Sequence, residues 1–122
     1  MMKYLPHILI ISFVFILAPT AQVASHAGEI EDAREAVRKN PDDAEAHYNL
    51  GIAYGESSKW KEEIEAYKQA IKIDPDYADA HYNLGIAYAL LINDRGSALE
   101  QYKILKSLDS EKANELFNMI NK

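Results

Sequence analysis

Ala46–Tyr54 reads AHYNLGIAY, and Ala80–Tyr88 reads the same nine residues 34 positions later. Identity at a fixed offset marks an internal repeat, so the chain is built by stacking one small unit. Each such unit buries its apolar face only against its neighbours. Function is then expected on a surface shared between units rather than in a catalytic pocket.

The spacing around the repeat predicts helices. Ala46, Leu50, Ala53 and Tyr54 recur at three- and four-residue steps, which is one face of a helix. Asp42 and Asp43, after Pro41, can cap that helix where it opens at Ala44. Gly55–Ser58 interrupts the pattern. A second helix is expected over about Trp60–Ile73, with Ile64, Tyr67, Ala70 and Ile71 on one face. Asp74-Pro75 ends it, because the residue before proline is pushed out of helical geometry. The cycle restarts at Asp76, with helices expected over Ala78–Leu91 and Ser97–Leu108 around a turn at Ile92–Gly96.

The pattern continues outward on both sides. Glu29–Asn40 aligns with the second helix of a unit: Ala33, Ala36 and Val37 match Tyr67, Ala70 and Ile71, and Pro41 matches Pro75. Glu111–Ile120 aligns with a first helix, with Leu116 at the His47/His81 place and Ala113, Leu116 and Ile120 inward. Polar residues on its other side suit a helix that caps the stack.

This ordered motif resembles the tetratricopeptide repeat family, whose unit is a helix–turn–helix of 34 residues. The family pattern W-x2-L-G-x2-Y reads here as His47-x2-Leu50-Gly51-x2-Tyr54 and His81-x2-Leu84-Gly85-x2-Tyr88. A-x3-F reads as Ala98-x3-Tyr102, and the closing proline is Pro75, with Pro41 before it. The resemblance covers nearly all of residues 29–121. It implies an all-α fold, a right-handed superhelical solenoid of antiparallel helix pairs with about six helices. Within residues 28–122 it implies a half repeat at 29–41, repeats at 44–77 and 78–112, and a capping helix at 113–121.

Four departures bear on packing. The second unit is one residue longer, with the extra residue expected in the Ile92–Gly96 turn. Ser110 replaces the closing proline. Leu105 stands where a small alanine is usual, so the last hairpin is expected to splay. Glu63 also takes an alanine place, where its carboxylate must reach solvent or bear the cost of burial, and it is expected to snorkel toward the turn.

Met1–Ala27 does not belong to the array. Lys3 gives a cationic head, Ile8–Ala18 is an 11-residue, nearly all-apolar run, and Pro19 breaks it. Small residues at Val23-Ala24-Ser25 and Ser25-His26-Ala27 then offer cleavage sites, the layout of a secretory signal peptide. Cleavage near Ala27 would release a soluble periplasmic or secreted protein. Retention would leave an N-terminal membrane anchor, the leader being extended through Ala24 toward spanning length. Both readings put the array across a membrane.

Beyond residue 28 the chain carries 12 basic and 19 acidic residues. That balance argues against nucleic acid, which needs clustered lysine and arginine, and suits a basic or neutral protein partner. Cysteine is absent, so thiolate metal sites and disulfides are excluded. His47 and His81 are equivalent, yet equivalent helices lie about 10 Å apart, too far for two imidazoles to share an ion easily. They are better read as filling the bulky tryptophan place. Ser57 and Ser58 have no histidine in a triad arrangement. No enzyme, metal or cofactor is expected.

The resemblance implies that the first helix of each unit lines a concave groove. Its groove positions map to Glu45, Tyr48, Asn49, Ile52 and Glu56, and to Asp79, Tyr82, Asn83, Ile86 and Leu90, with Asn114, Phe117 and Asn118 added by the last helix. Tyrosines and isoleucines flanked by acids suit an apolar or aromatic partner segment with some positive charge. Asn49 and Asn83 resemble asparagines that hold peptide backbone in chaperone-binding members. The lysines and arginines of their carboxylate clamp are missing, since Tyr48, Ile52, Asn114 and Asn118 stand there, so an acidic C-terminal tail is not the expected ligand. These residues also match common family filling, with no ligand implied. The competing role is a self-assembling or membrane-anchored scaffold of the cell envelope, with Ile30 and Val37 on an outer face free to stack on another copy.

Overall fold

The computed structural model describes residues 25–122, and within them the fold is all-α. Helix α1 covers residues 25–39. It is followed by α2 (Ala44–Glu56), α3 (Trp60–Ile73), α4 (Ala78–Ile86, continued by a π-helical turn at Ala87–Leu91), α5 (Arg95–Leu108) and α6 (Ser110–Ile120). Successive helices pack on one another, giving six helices in a tetratricopeptide-like solenoid. Of the leader at 1–27, all but residues 25–27 lies outside the described residues.

Side-chain caps set several helix starts. The Asp43 carboxylate accepts from the Glu45 backbone N–H at 3.0 Å and opens α2. Asp94 does the same for α5, accepting from Ser97 N–H at 3.0 Å and from the Ser97 hydroxyl at 2.6 Å. Such caps satisfy backbone donors that a helix start leaves without partners. The bonds hold the Asp94 carboxyl below the usual range.

The core runs along the stack as three adjoining clusters, as expected when each unit packs only on its neighbours. Ile30 of α1 joins Leu50, Ala53, Tyr54 and Ala66, with Ala33 and Val37 against them. Ile64, Tyr67, Leu84 and Ala87 form the middle. Ala98, Leu105, Ala113, Leu116 and Ile120 close the far end. Ile30 is 6% exposed and Val37 is partly buried, so both face the first repeat and neither offers an outer stacking surface. α1 is further tied by Arg34, whose Nε donates to the Tyr54 hydroxyl at 3.1 Å.

The two hairpins differ despite their shared motif. A Cβ on Gly51 would stand 2.5 Å from Cε1 of Tyr67, so glycine is what lets α2 and α3 approach. Gly85 faces Leu116 of α6 and Gln101 instead of Tyr102. Tyr102 lies against Phe117, ring centroids 5.1 Å apart. Leu105, in the alanine place, is fully buried, and its bulk accompanies this altered packing at the last hairpin.

The surplus residue of the second unit is not in the Ile92–Gly96 turn. It is taken up where α4 widens into its π turn, with the Ile92 N–H reaching back to Ala87 O at 3.3 Å. Ser58 (φ 57°) and Asn93 (φ 53°) are the equivalent left-handed turn residues, so the units are back in step by Asn93. The register of α6 is also corrected. Asp109 caps it as Asp43 caps α2, which sets Ala113 at the His47 place and Leu116 at the Leu50 place.

Candidate interaction face

His47 and His81 do repeat a role, and it is structural. His47 Nε2 lies 2.8 Å from Pro41 O, and His81 Nε2 lies 2.7 Å from Pro75 O. Each ring fastens the proline loop before its helix to the first turn of that helix. His81 also reaches the Gln101 side chain at 2.7 Å from Nδ1, joining α4 to α5.

The residues expected on the concave side fall into distinct settings. Glu45 and Asn49 are exposed on α2, with Tyr48 and Ile52 half-buried beside them. Tyr48 packs against Tyr67 and Tyr77, with centroids 5.7 and 5.1 Å away. Burial, with the Asp79 charge adding to it, raises the Tyr48 hydroxyl above its usual range. Asn83 of α4 donates from Nδ2 to the Tyr48 hydroxyl at 3.1 Å, so α2 and α4 are joined by a pair of groove residues. Such tilted aromatic pairs contribute roughly 0.5–1.5 kcal/mol beyond their buried area.

Asp79 and Tyr82 point toward α6. Asp79 lies 3.3 Å from Lys112 Nζ, which also pairs with Asp109 at 2.9 Å. Its bond to Asp109, then the one to Asp79, holds the Lys112 ammonium above its usual range. The Tyr82 hydroxyl donates to Glu115 at 2.9 Å. Leu90 sits in the π turn and is 59% exposed. Asn114, Phe117 and Asn118 are exposed on α6, with Phe117 turned to Tyr102 of α5.

Ile52, Asn83 and Ile86 come together around a depression of about 360 Å³ between α2, α3 and α4. Gly55, Glu56, Glu63 and Tyr67 complete its lining. A second depression of about 340 Å³ runs from Asn49 and Ile52 to Glu29, Asp32 and Ala33 of α1.

The Glu63 carboxylate lies toward the turn, against Gly55, but does not reach solvent there. The residue is 8% exposed, and its Oε2 is buried with no hydrogen-bond partner. Burial raises its carboxyl above the usual carboxylate range, opposed by a hydrogen bond from Tyr67. The place of Glu63 in the motif is the reason: the alanine place faces the neighbouring helix, and a longer side chain there is held against Gly55. Sequence reasoning flagged Glu63 only as a misfit. Its position in the depression, and the stacking of Tyr77 on Tyr48, depend on the approach of helices from different units and carry no local signal.

Among the described residues no group of histidines and carboxylates is placed to hold a metal ion. No helix there is long and apolar enough to cross a membrane. None of the curated proteins compared with the chain matches it. Residues 33–65 match the family described as tetratricopeptide repeat, and residues 56–91 match that described as TPR repeat. The two matches together run from α1 through the end of α4, over the repeated nonapeptide and both histidine–proline ties. On these residues the chain belongs to the tetratricopeptide repeat family, whose repeats act as protein–protein interaction modules.

Proposed function

We propose that the chain is an exported, non-enzymatic tetratricopeptide module that offers the α2/α4 side of its array to an extended segment or helix of a partner protein. The observation that supports this most is the depression between α2, α3 and α4. It brings Ile52, Asn83 and Ile86 from two units together with acidic residues beside them. Apolar walls with a few polar groups are what a peptide side chain needs for orientation. Stacked helices hold those walls in place before binding, so little ordering is lost on association.

Export rests on the leader alone. Its cationic head, apolar run and small-residue sites have the layout of a signal peptide, which supports export of the array to the periplasm or outside the cell. The acidic balance of the array favours a partner segment with positive charge.

The test is crosslinked recovery from native cells of a C-terminally tagged chain. It is compared with an Asn49→Arg/Ile86→Arg double variant shown by circular dichroism to be folded. These positions are better than Tyr48, whose ring supports Tyr67 and Tyr77. A partner recovered with the wild type and lost from the variant supports the reading. Equal recovery with both rejects it. Fractionation and the mass of the mature chain test export: retention of the whole leader in the cytoplasm rejects it.

A further inference from the structure

We infer that the depression between α2, α3 and α4 is a pocket for a basic side chain of the partner, lysine or arginine, with the Glu63 carboxylate as its anchor. This rests on the reading that this face binds a partner, and it adds the chemistry of one contact.

A buried carboxylate with an unpartnered oxygen is costly unless something supplies an opposite charge. Glu63 is 8% exposed and lacks that partner at Oε2. No lysine or arginine lines the depression. Glu63 instead has Glu56 of α2 at the same opening, Tyr67 on its own helix and the neutral amide of Asn83 on α4. Two acids and no cation around one opening are complementary to an incoming positive charge.

The shape matches the same ligand. Ile52 and Ile86 form apolar walls, and both are half-buried. The methylene stem of a lysine or arginine lies along such walls while its charged head goes deeper to the acid. Gly55 keeps the carboxylate's place open. A Cβ there would stand 2.9 Å from Cδ and Oε1 of Glu63. Glu63 also lies in the first turn of α3, where the helix end carries partial positive charge and favours a carboxylate. The occupant is thus an ammonium or guanidinium on an aliphatic stem.

The test uses a random peptide library displayed on phage and selected on the full chain. Selected peptides are re-screened against Asn49→Arg/Ile86→Arg to keep those that use this face. Each kept peptide is synthesised with its lysine replaced by norleucine, or its arginine by citrulline, and titrated calorimetrically into wild type and Glu63→Gln. Kept peptides are expected to share a basic residue whose neutral replacement weakens binding about tenfold or more to wild type. Glu63→Gln is expected to bind the basic and neutral peptides alike. As an independent readout, the Glu63 carboxyl carbon followed by NMR should titrate at lower pH with the peptide bound, because a nearby cation favours the charged form.

Kept peptides without a basic residue overturn the assignment and leave the docking face standing. Unchanged discrimination in Glu63→Gln also overturns it. A library yielding no peptide sensitive to Asn49→Arg/Ile86→Arg overturns both readings together.

Discussion

Gly51 and Gly85 carry the same local sequence and do different work. Gly51 accommodates Tyr67 of its own hairpin, and Gly85 accommodates Leu116 from the next helix along. Added methyl groups at either place meet packed side chains. Gly51→Ala should lower stability by about 1–3 kcal/mol in a denaturant titration, since overpacking forces shifts of that cost. Gly96→Ala is the matched control. A Cβ there meets only Asp94 Oδ1 at 3.6 Å, and the helix gains from alanine, so unchanged or slightly raised stability is expected. Glu63 gives a prediction of opposite sign. Its folded-state carboxyl is raised by burial, so the folded protein holds that proton more tightly than the unfolded chain. Stability contributed by this group therefore falls as pH rises from the ordinary carboxylate range through the raised folded value. Glu63→Ala should be more stable than wild type at neutral pH, by about 1–3 kcal/mol. The gap should narrow as pH drops below that range, and a gap independent of pH would contradict the account of Glu63.

At the scale of elements, joints matter as much as helices. Asp109 alone links α5 to α6. Its N–H closes α5 on Leu105 O at 2.8 Å, and its carboxylate opens α6 on Lys112 N–H at 3.1 Å. The far end of α6 is held by Arg95, which donates to Ile120 O at 3.0 Å. Asp109→Ala should cost about 1 kcal/mol, as lost caps do, and should speed amide exchange in the first turn of α6 before elsewhere. The helices themselves were legible from periodicity, proline and aspartate. The path between Tyr88 and Asn93 was not: one surplus residue can be absorbed at any point of a turn, and the choice of a π turn depends on how α4 packs on α5 and α6. The place of Leu116 was misread for a related reason. Apolar spacing alone fits α6 in two registers one turn apart, and the Asp109 cap decides between them.

For the whole molecule, the three core clusters follow chain order, each built between neighbours. A chain ending after α5 should lose much of the far cluster, because Leu116 and Leu105 are both fully buried there. Its thermal transition should fall and broaden, as in arrays deprived of their end helix. The architecture was readable because the nonapeptide and its spacing encode packing that repeats. The face was readable in outline, since helix periodicity puts Tyr48 and Ile52, and likewise Asn83 and Ile86, on one side. The buried acid in its floor was not readable as a feature of that face. The central claim is that this face, built from α2 and α4, meets the partner. It is tested most directly by a photo-crosslinking amino acid placed in living cells at Asn49 or Leu90, and for comparison at Lys68 or Lys103, all of them exposed. The account predicts one discrete heteromeric adduct from Asn49 and Leu90 and none from Lys68 and Lys103. An adduct formed equally from α3 and α5, or one containing only a second copy of the chain, would contradict it.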